Sequence, residues 1–219
     1  MELKIIIENE KYPLHLYADG TTSSEVINGK KCIGVIWEKP DALIKEEVVE
    51  PKFHLGDYAF AGGEFSKDKN AFPKRLGIVV YINPDVNAPK GQRGIILAES
   101  ENVLPWATRD EVTGATENVG GLNCHKLLEI VQANENVHYP AAEYCLNYRK
   151  EGVGGWFLPS WEELNKCMMA SPNMFTGGYW TSSEQSSSSA WRLAKVGITI
   201  QKLLSVKDAK LKVIPIKVI

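Results

Sequence analysis

An ungapped internal similarity at an offset of 43 residues constrains this chain more than any other feature of its sequence. The first copy reads Gly20-Thr-Thr-Ser-Ser-Glu-Val-Ile-Asn-Gly-Lys-Lys-Cys-Ile-Gly-Val-Ile-Trp37 and the second Gly63-Glu-Phe-Ser-Lys-Asp-Lys-Asn-Ala-Phe-Pro-Lys-Arg-Leu-Gly-Ile-Val-Val80. Each is a polar turn feeding a short apolar strand rich in β-formers, with its second glycine inside that strand. A glycine there marks a bulge or a close backbone approach, and its recurrence points to a duplicated structural unit. Two copies are too few for a solenoid.

Strands are expected at 4–7, 14–18, 32–37, 57–61, 77–82 and 94–98. Helical periodicity then takes over. Leu127, Leu128 and Val131 share one face of a helix over 122–133, and Ala142, Cys145 and Leu146 do so over 141–149. Ser160-Trp-Glu-Glu163 reads as a capping box, followed by a buried stripe of Leu164, Cys167 and Met168. After Met169, Ser-Pro-Asn at 171–173, Gly177-Gly178 and a serine run at 186–189 predict loops. Strands return at 196–204 and 210–219. The expected fold class is α+β, with a β-rich segment over 1–55 holding the first copy of the unit and a second domain over 56–219.

With 219 residues, 44% of them apolar, the chain can bury an ordinary core. A net charge of −2 supplies no field for nucleic acid. The stretch from Arg192 onward is locally basic, with Lys195, Lys202, Lys207, Lys210, Lys212 and Lys217, and reads as a basic edge strand that resists unwanted pairing or as a polyanion-binding face. The apolar run Ile5-Ile-Ile7 is too short for a signal-peptide core or a membrane span, so membrane insertion is not expected and a cytoplasmic or phage-particle location is favoured. Cys32, Cys124, Cys145 and Cys167 lack metal-binding or redox spacing, so reduced, buried thiols are expected, Cys124 and Cys145 on consecutive helices included. His15, His54, His125 and His138 show no metal-ligand spacing, so no metal and no cofactor are expected. No nucleophile elbow is present, and Ser66-Lys-Asp-Lys69 matches Ser-x-x-Lys without its companion elements.

Gly154-Gly-Trp-Phe-Leu-Pro-Ser-Trp-Glu-Glu-Leu-Asn165, then Gly178-Tyr-Trp-Thr-Ser-Ser-Glu184 and Ala190-Trp-Arg192, resemble the bacterial Lcl-type C-terminal domain. That family is similar to C-type lectins, to targets of diversifying retroelements and to the formylglycine-generating enzyme fold. The resemblance implies a C-type-lectin-like domain, a rigid scaffold that presents a loop surface to a ligand. Two departures stand out. The family's arginine-rich last strand is replaced by Lys212-Val-Ile-Pro-Ile-Lys-Val-Ile219, and the Glu-Pro-Asn, Gln-Pro-Asp and Trp-Asn-Asp triplets of calcium-dependent lectins are absent. No lectin-type calcium site is therefore expected. The paired late cysteines of the formylglycine-generating relatives are also missing, since the last cysteine is Cys167.

Within the implied surface, Gln185, Ser186, Ser187 and Ser188 beside Glu184 offer small donors and acceptors suited to polar recognition, with a solvated loop as the plainer alternative. Asn173, Met174, Phe175 and Arg192 are expected to share it, and Trp106, beside Pro105, is expected to be partly exposed. Trp156, Trp180 and Trp191 are expected to pack in the core rather than to stack on sugars. The resulting expectation is a non-enzymatic protein that shows residues 171–192 to a protein or glycan partner. The alternative is a structural or assembly protein of a bacterial or phage particle, in which the basic C-terminal strand and the duplicated N-terminal unit make subunit contacts for oligomerisation.

Overall fold

The 43-residue repeat is carried into the backbone register. A computed structural model describes residues 52–219 throughout and, of the first 51, the backbone of three strands, β1 (Pro13–Tyr17), β2 (Thr22–Ser23) and β3 (Cys32–Trp37). The strand expected at 4–7 and the side chains of the first copy lie outside the described residues. Strand β1 pairs with β2 through His15↔Ser23 and with β3 through Leu16↔Gly34, with a register shift between Leu16 and Tyr17. In the second copy, β4 (Tyr58–Phe60) pairs with β5 (Phe65–Ser66) through Tyr58↔Ser66 and with β6 (Arg75–Ile82) through Ala59↔Gly77, with a shift between Ala59 and Phe60. Every one of these pairs, and the bulge itself, recurs 43 positions on. The shared glycine has a steric reason in the second copy: a Cβ on Gly77 would lie 2.1 Å from the Leu97 carbonyl oxygen of the neighbouring strand.

The chain divides into two compact units, Met1–Val48 and Val49–Ile219. The boundary expected after residue 55 falls inside a segment that packs with the second unit, because the buried Phe53 ring lies 4.9 Å from that of Phe65.

The second unit is α+β. One five-stranded sheet runs β13 (Ile216–Val218), β7 (Gly94–Ala98), β6, β4, β5, and the other runs β11 (Thr199–Val206), β10 (Ser189–Val196), β9 (Gly177–Glu184), β12 (Leu211–Val213), β8 (Asn102–Leu104). Helices α1 (Gly120–Ala133), α2 (Pro140–Asn147) and α3 (Trp161–Ala170) share one apolar core with both sheets. Helix α3 touches β9, β10 and β11 of one sheet and β6 of the other, so it pins the two layers together.

The capping box at Ser160 is present: the Ser160 hydroxyl accepts from the Glu163 backbone and the Glu163 carboxylate accepts from Ser160 N at 2.9 Å. The same carboxylate accepts from Gly120 N at 2.9 Å and so ties the start of α1 to that of α3. Burial pushes the Glu163 carboxyl up, against the pull of these hydrogen bonds. Cys124, Cys145 and Cys167 are free and buried. Burial pushes the Cys124 thiol up to about 12, and burial, with the nearby Cys124 adding to it, raises the Cys145 thiol well above its ordinary value.

Several expectations need correction. Residues 177–184, predicted as loop, form β9, whose last six residues are all buried, so the Gly-Tyr-Trp-Thr-Ser-Ser-Glu motif is a central strand. The strand expected at 196–204 is broken by the Gly197 turn (φ +61°) into the end of β10 and most of β11. The strand expected at 210–219 is two strands in different sheets, split at Ile214-Pro215, because proline cannot donate to a ladder. Only part of the basic C-terminal stretch is a free basic edge: Lys202 lies exposed on edge strand β11, whereas several of the other lysines are engaged. Lys207 is buried, Lys212 pairs with Glu101 at 2.8 Å, and Lys217 and Lys195 donate to the Gly154 and Pro172 carbonyls.

Candidate functional site

The surface expected across residues 171–192 separates into two places. Asn173 and Met174 sit on a 3-10 turn (Pro172–Met174) near the Gly177 end of β9, which adjoins the Lys195 end of β10. The serine run lies at the opposite end, roughly 20 Å away at ~3.3 Å per strand residue from Lys195 to Ser189. Met174 instead borders a separate cleft of about 530 Å³ with Tyr58, Arg75, Glu99 and Glu101. Two of the ion pairs there are already made, Arg75 with Glu99 and Lys212 with Glu101.

Three expected surface residues are internal and a fourth is half-buried. Phe175 is buried in the core, edge-on to Tyr179. Trp106 is 1% exposed, with its indole N–H donating to the Thr181 carbonyl at 2.8 Å, so the adjoining proline does not hold it in solvent. Arg192 is half-buried and pairs across from Trp180, which by strand alternation puts it on the sheet face opposite Trp191. Glu184 is 5% exposed and anchors the turn from below. Its carboxylate takes 2.9 Å hydrogen bonds from Thr113 N and Gly114 N and a 2.6 Å ion pair from the buried Lys207. Lys207 also donates to the Glu111 carbonyl at 2.6 Å and lies 4.8 Å from the Trp106 ring centre. Its backbone N–H donates to the Ser188 carbonyl, so the buried pair fixes the position of the exposed turn.

The serine run is a tight turn. Ser186 accepts from Ser188 N and Ser189 N, and its hydroxyl lies 2.7 Å from that of Ser189, while Ser189 donates to the Gln185 side chain. Ser186 thus builds the turn from a half-buried position, and Gln185, Ser187 and Ser188 are left exposed.

Beside this turn the structure assembles a group that sequence reasoning missed. Trp156 and Trp180 are buried as expected of core residues, but Trp191 is only partly buried. Lys202 of β11 sits with both Trp191 and Trp161: its ammonium lies 3.5 Å from the Trp161 ring centre and 4.3 Å from that of Trp191. Register explains the meeting. Lys202 pairs across from Leu193 and Leu204 from Trp191, so Trp191, Lys202, Leu204 and, across from Ser189, Val206 share one face of the β10–β11 hairpin. Trp161 reaches that face because the cap at Ser160 starts α3 directly above it, with Trp161 N donating to the Ser183 hydroxyl at 3.2 Å. Leu204 and Val206 are 47% and 59% exposed and continue the strip toward the serine turn.

The electrostatics of the face follow from this packing. Partial burial lowers the Lys202 ammonium from its ordinary value, opposed by the nearby Glu162 carboxylate. Contacts of an ammonium with indole faces at exposed sites are worth about 0.5–1 kcal/mol each. They hold the side chain without using any of its three N–H donors in a hydrogen bond to a described residue, so those donors remain available. The only sequence signals for this group were the Trp in the capping box and the alternation of β11, and neither shows that they converge. Among the described residues no cluster of three or more His, Cys, Asp or Glu is placed to hold a metal ion, and no helix is long and apolar enough to cross a membrane.

Comparison with known proteins adds a fold likeness. No protein-family model matches the chain, and no curated protein matches it either. Among solved structures, the chain is similar to a fimbrial protein from Bacteroides ovatus, with a TM-score of 0.53 and 14% sequence identity over 76% of this chain. The match covers 49% of that fimbrial protein, so the chain spans about half its length.

Proposed function

We propose that the chain is a non-enzymatic recognition protein that presents the Trp161, Trp191 and Lys202 face, bordered by the serine turn, to a protein or glycan partner. The observation that carries this reading is the pair of partly exposed indoles, one on α3 and one on the β10–β11 hairpin, held around a cation. The part of each ring left in solvent forgoes burial, so two such rings side by side suit an occupant that covers them. The resemblance to the Lcl-type, C-type-lectin-like family supports the same region, since the face is built from the Ser-Trp-Glu-Glu and Ala-Trp motifs that carry that resemblance. A glycan-array and bacterial-surface binding screen tests it, comparing the intact protein with a Trp161→Ala/Trp191→Ala double variant that keeps its circular dichroism spectrum. Binding by the intact protein that the folded double variant loses is the expected result. Equal binding by both proteins overturns the assignment of the face.

A second reading is favoured by two observations together, the likeness to a fimbrial protein and the exposed apolar side chains of Ile198, Leu204 and Val206 on or beside the edge strand β11. In it the chain is a structural or assembly subunit of a particle or filament. Long, apolar edges invite strand addition from a neighbouring subunit. Concentration-dependent oligomers in light scattering that Leu204→Lys abolishes support this reading, and a monomer at all concentrations removes it.

A further inference from the structure

We infer that the face takes an acidic sugar, a pyranose bearing a carboxylate, with Lys202 as its anion-binding group and no bound calcium. The inference rests on the recognition reading above and narrows its ligand.

Three observations carry it. First, among the described residues Lys202 is the cation of the face that lies between the two indoles, with Lys195 further along the same face, and none of the described carboxylates lies within ion-pair distance of the Lys202 ammonium; Glu162 acts on it only at longer range. The lysines around it are already engaged, Lys195 by the Pro172 carbonyl and Lys207 by Glu184. Second, the ammonium is held in place. A free surface lysine loses rotamer freedom when it closes on a ligand, whereas here the two indole contacts have already restricted the side chain. A restrained cation with unused donors is pre-organised for an anion. Third, its surroundings suit a sugar better than a plain anion. The exposed parts of two indoles flank the ammonium and match the C–H faces of a pyranose ring. The hydroxyl-rich turn begins two strand residues beyond Trp191, roughly 7 Å from it and roughly 13 Å along the strands from Lys202, within reach of a further sugar unit. A simple inorganic anion would use none of these neighbours, and a run of acidic side chains offers no C–H ring face to the indoles.

The absence of the carboxylate-rich triplets by which calcium-dependent lectins hold sugar hydroxyls fits the same assignment. Here the recognition charge is positive and belongs to the protein, so the ligand must bring the negative one.

The test uses matched probes on the full chain: polygalacturonate against its methyl-esterified polymer, 3′-sialyllactose against lactose, and polyglutamate as an acidic chain without sugar rings. The acidic member of at least one sugar pair should bind at least about ten-fold more tightly than its neutral partner. That preference should persist in EDTA, weaken several-fold between 50 mM and 500 mM salt, and disappear in Lys202→Met while Lys202→Arg retains it. The long apolar stem of methionine keeps the indoles covered, so loss of fold is not the expected reason for loss of binding, and circular dichroism checks this. Equal binding of acidic and neutral partners, abolished by Trp191→Ala, leaves the recognition face standing and overturns the acidic ligand. Equal binding of polyglutamate and polygalacturonate overturns the sugar. Acidic binding that survives Lys202→Met overturns the role of Lys202, and a complete absence of binding to every probe overturns the inference.

Discussion

Removing the buried cation beneath the serine turn should be among the most damaging single changes in the second unit. In Lys207→Met the Glu184 carboxylate stays buried with its two backbone donors from Thr113 and Gly114 but loses its counter-charge at 2.6 Å. Both partners are nearly inaccessible, at 1% for Lys207 and 5% for Glu184, so solvent cannot replace what is lost. Breaking a buried pair on one side costs about 3–5 kcal/mol. For a unit of this size each kcal/mol moves the melting temperature by roughly 2–4 °C, which predicts a fall of about 6–20 °C. Urea unfolding followed by tryptophan fluorescence gives the free energy directly, with Lys210→Met, at an exposed position, as a control expected within about 0.5 kcal/mol of the parent. A Glu184→Leu/Lys207→Met double variant should be less destabilised than Lys207→Met alone, because no charge is left unpaired and only the Thr113 and Gly114 N–H groups and the Glu111 carbonyl lose a partner. A loss below about 1 kcal/mol for Lys207→Met would refute the reasoning.

Other consequences can be checked in the same preparations. Gly120→Ala should cost about 1–3 kcal/mol, since its Cβ would meet the Leu158 carbonyl oxygen at 2.3 Å and Ser160 N at 2.6 Å; a neutral effect in chemical unfolding would show that the α1–α3 junction gives way freely. Ser160→Ala should lose about 0.5–2 kcal/mol by removing the cap of α3 and should also shift the position of Trp161, read as a change in its fluorescence. The buried thiols have folded pKa values raised above their unfolded ones, to about 12 for Cys124. Their contribution to stability is therefore complete below about pH 9 and is lost as pH climbs from there toward 12, a decline that equilibrium unfolding across pH 8–11 should show. An Ellman assay on the folded protein should correspondingly find Cys124, Cys145 and Cys167 unreactive until denaturant is added.

The parts of this fold that were legible in the sequence are those fixed by local chemistry. The capping box at Ser160 announced α3 to the residue, because a hydroxyl, a carboxylate and two backbone N–H groups within four positions determine each other. The 43-residue repeat announced a duplicated strand unit, because the turn, the strand and the glycine within it recur together; in the second copy that glycine admits the Leu97 carbonyl. Features set by distant contacts were not legible. Glu184 read as a loop carboxylate because its partners, Thr113, Gly114 and Lys207, are far away in sequence. Trp106 read as exposed because nothing nearby shows that its N–H finds the Thr181 carbonyl, 75 residues on. Strand β9 was hidden by its own small polar residues, Thr181, Ser182 and Ser183, which look like a loop in sequence but are buried; the Thr181 hydroxyl donates to Trp191 O and the Ser182 hydroxyl accepts from Asn123. The candidate site failed for the same reason: Trp161, Trp191 and Lys202 belong to three elements, and only the hairpin register and the helix start bring them together.

The central claim is that these three residues form the recognition face, and the tryptophan indole N–H signals test it most directly. Trp106, Trp156 and Trp180 each donate that proton to an internal carbonyl, of Thr181, of Val153, and of Leu104 and Ala209 respectively, and should be insensitive to a ligand at the surface. In a nitrogen-15 spectrum titrated with polygalacturonate, or with whichever glycan the array selects, the Trp161 and Trp191 indole signals should move together and saturate with the binding curve while those three stay fixed. Saturable binding that leaves Trp161 and Trp191 unmoved, with shifts gathered instead around Tyr58 and Met174, would contradict the account.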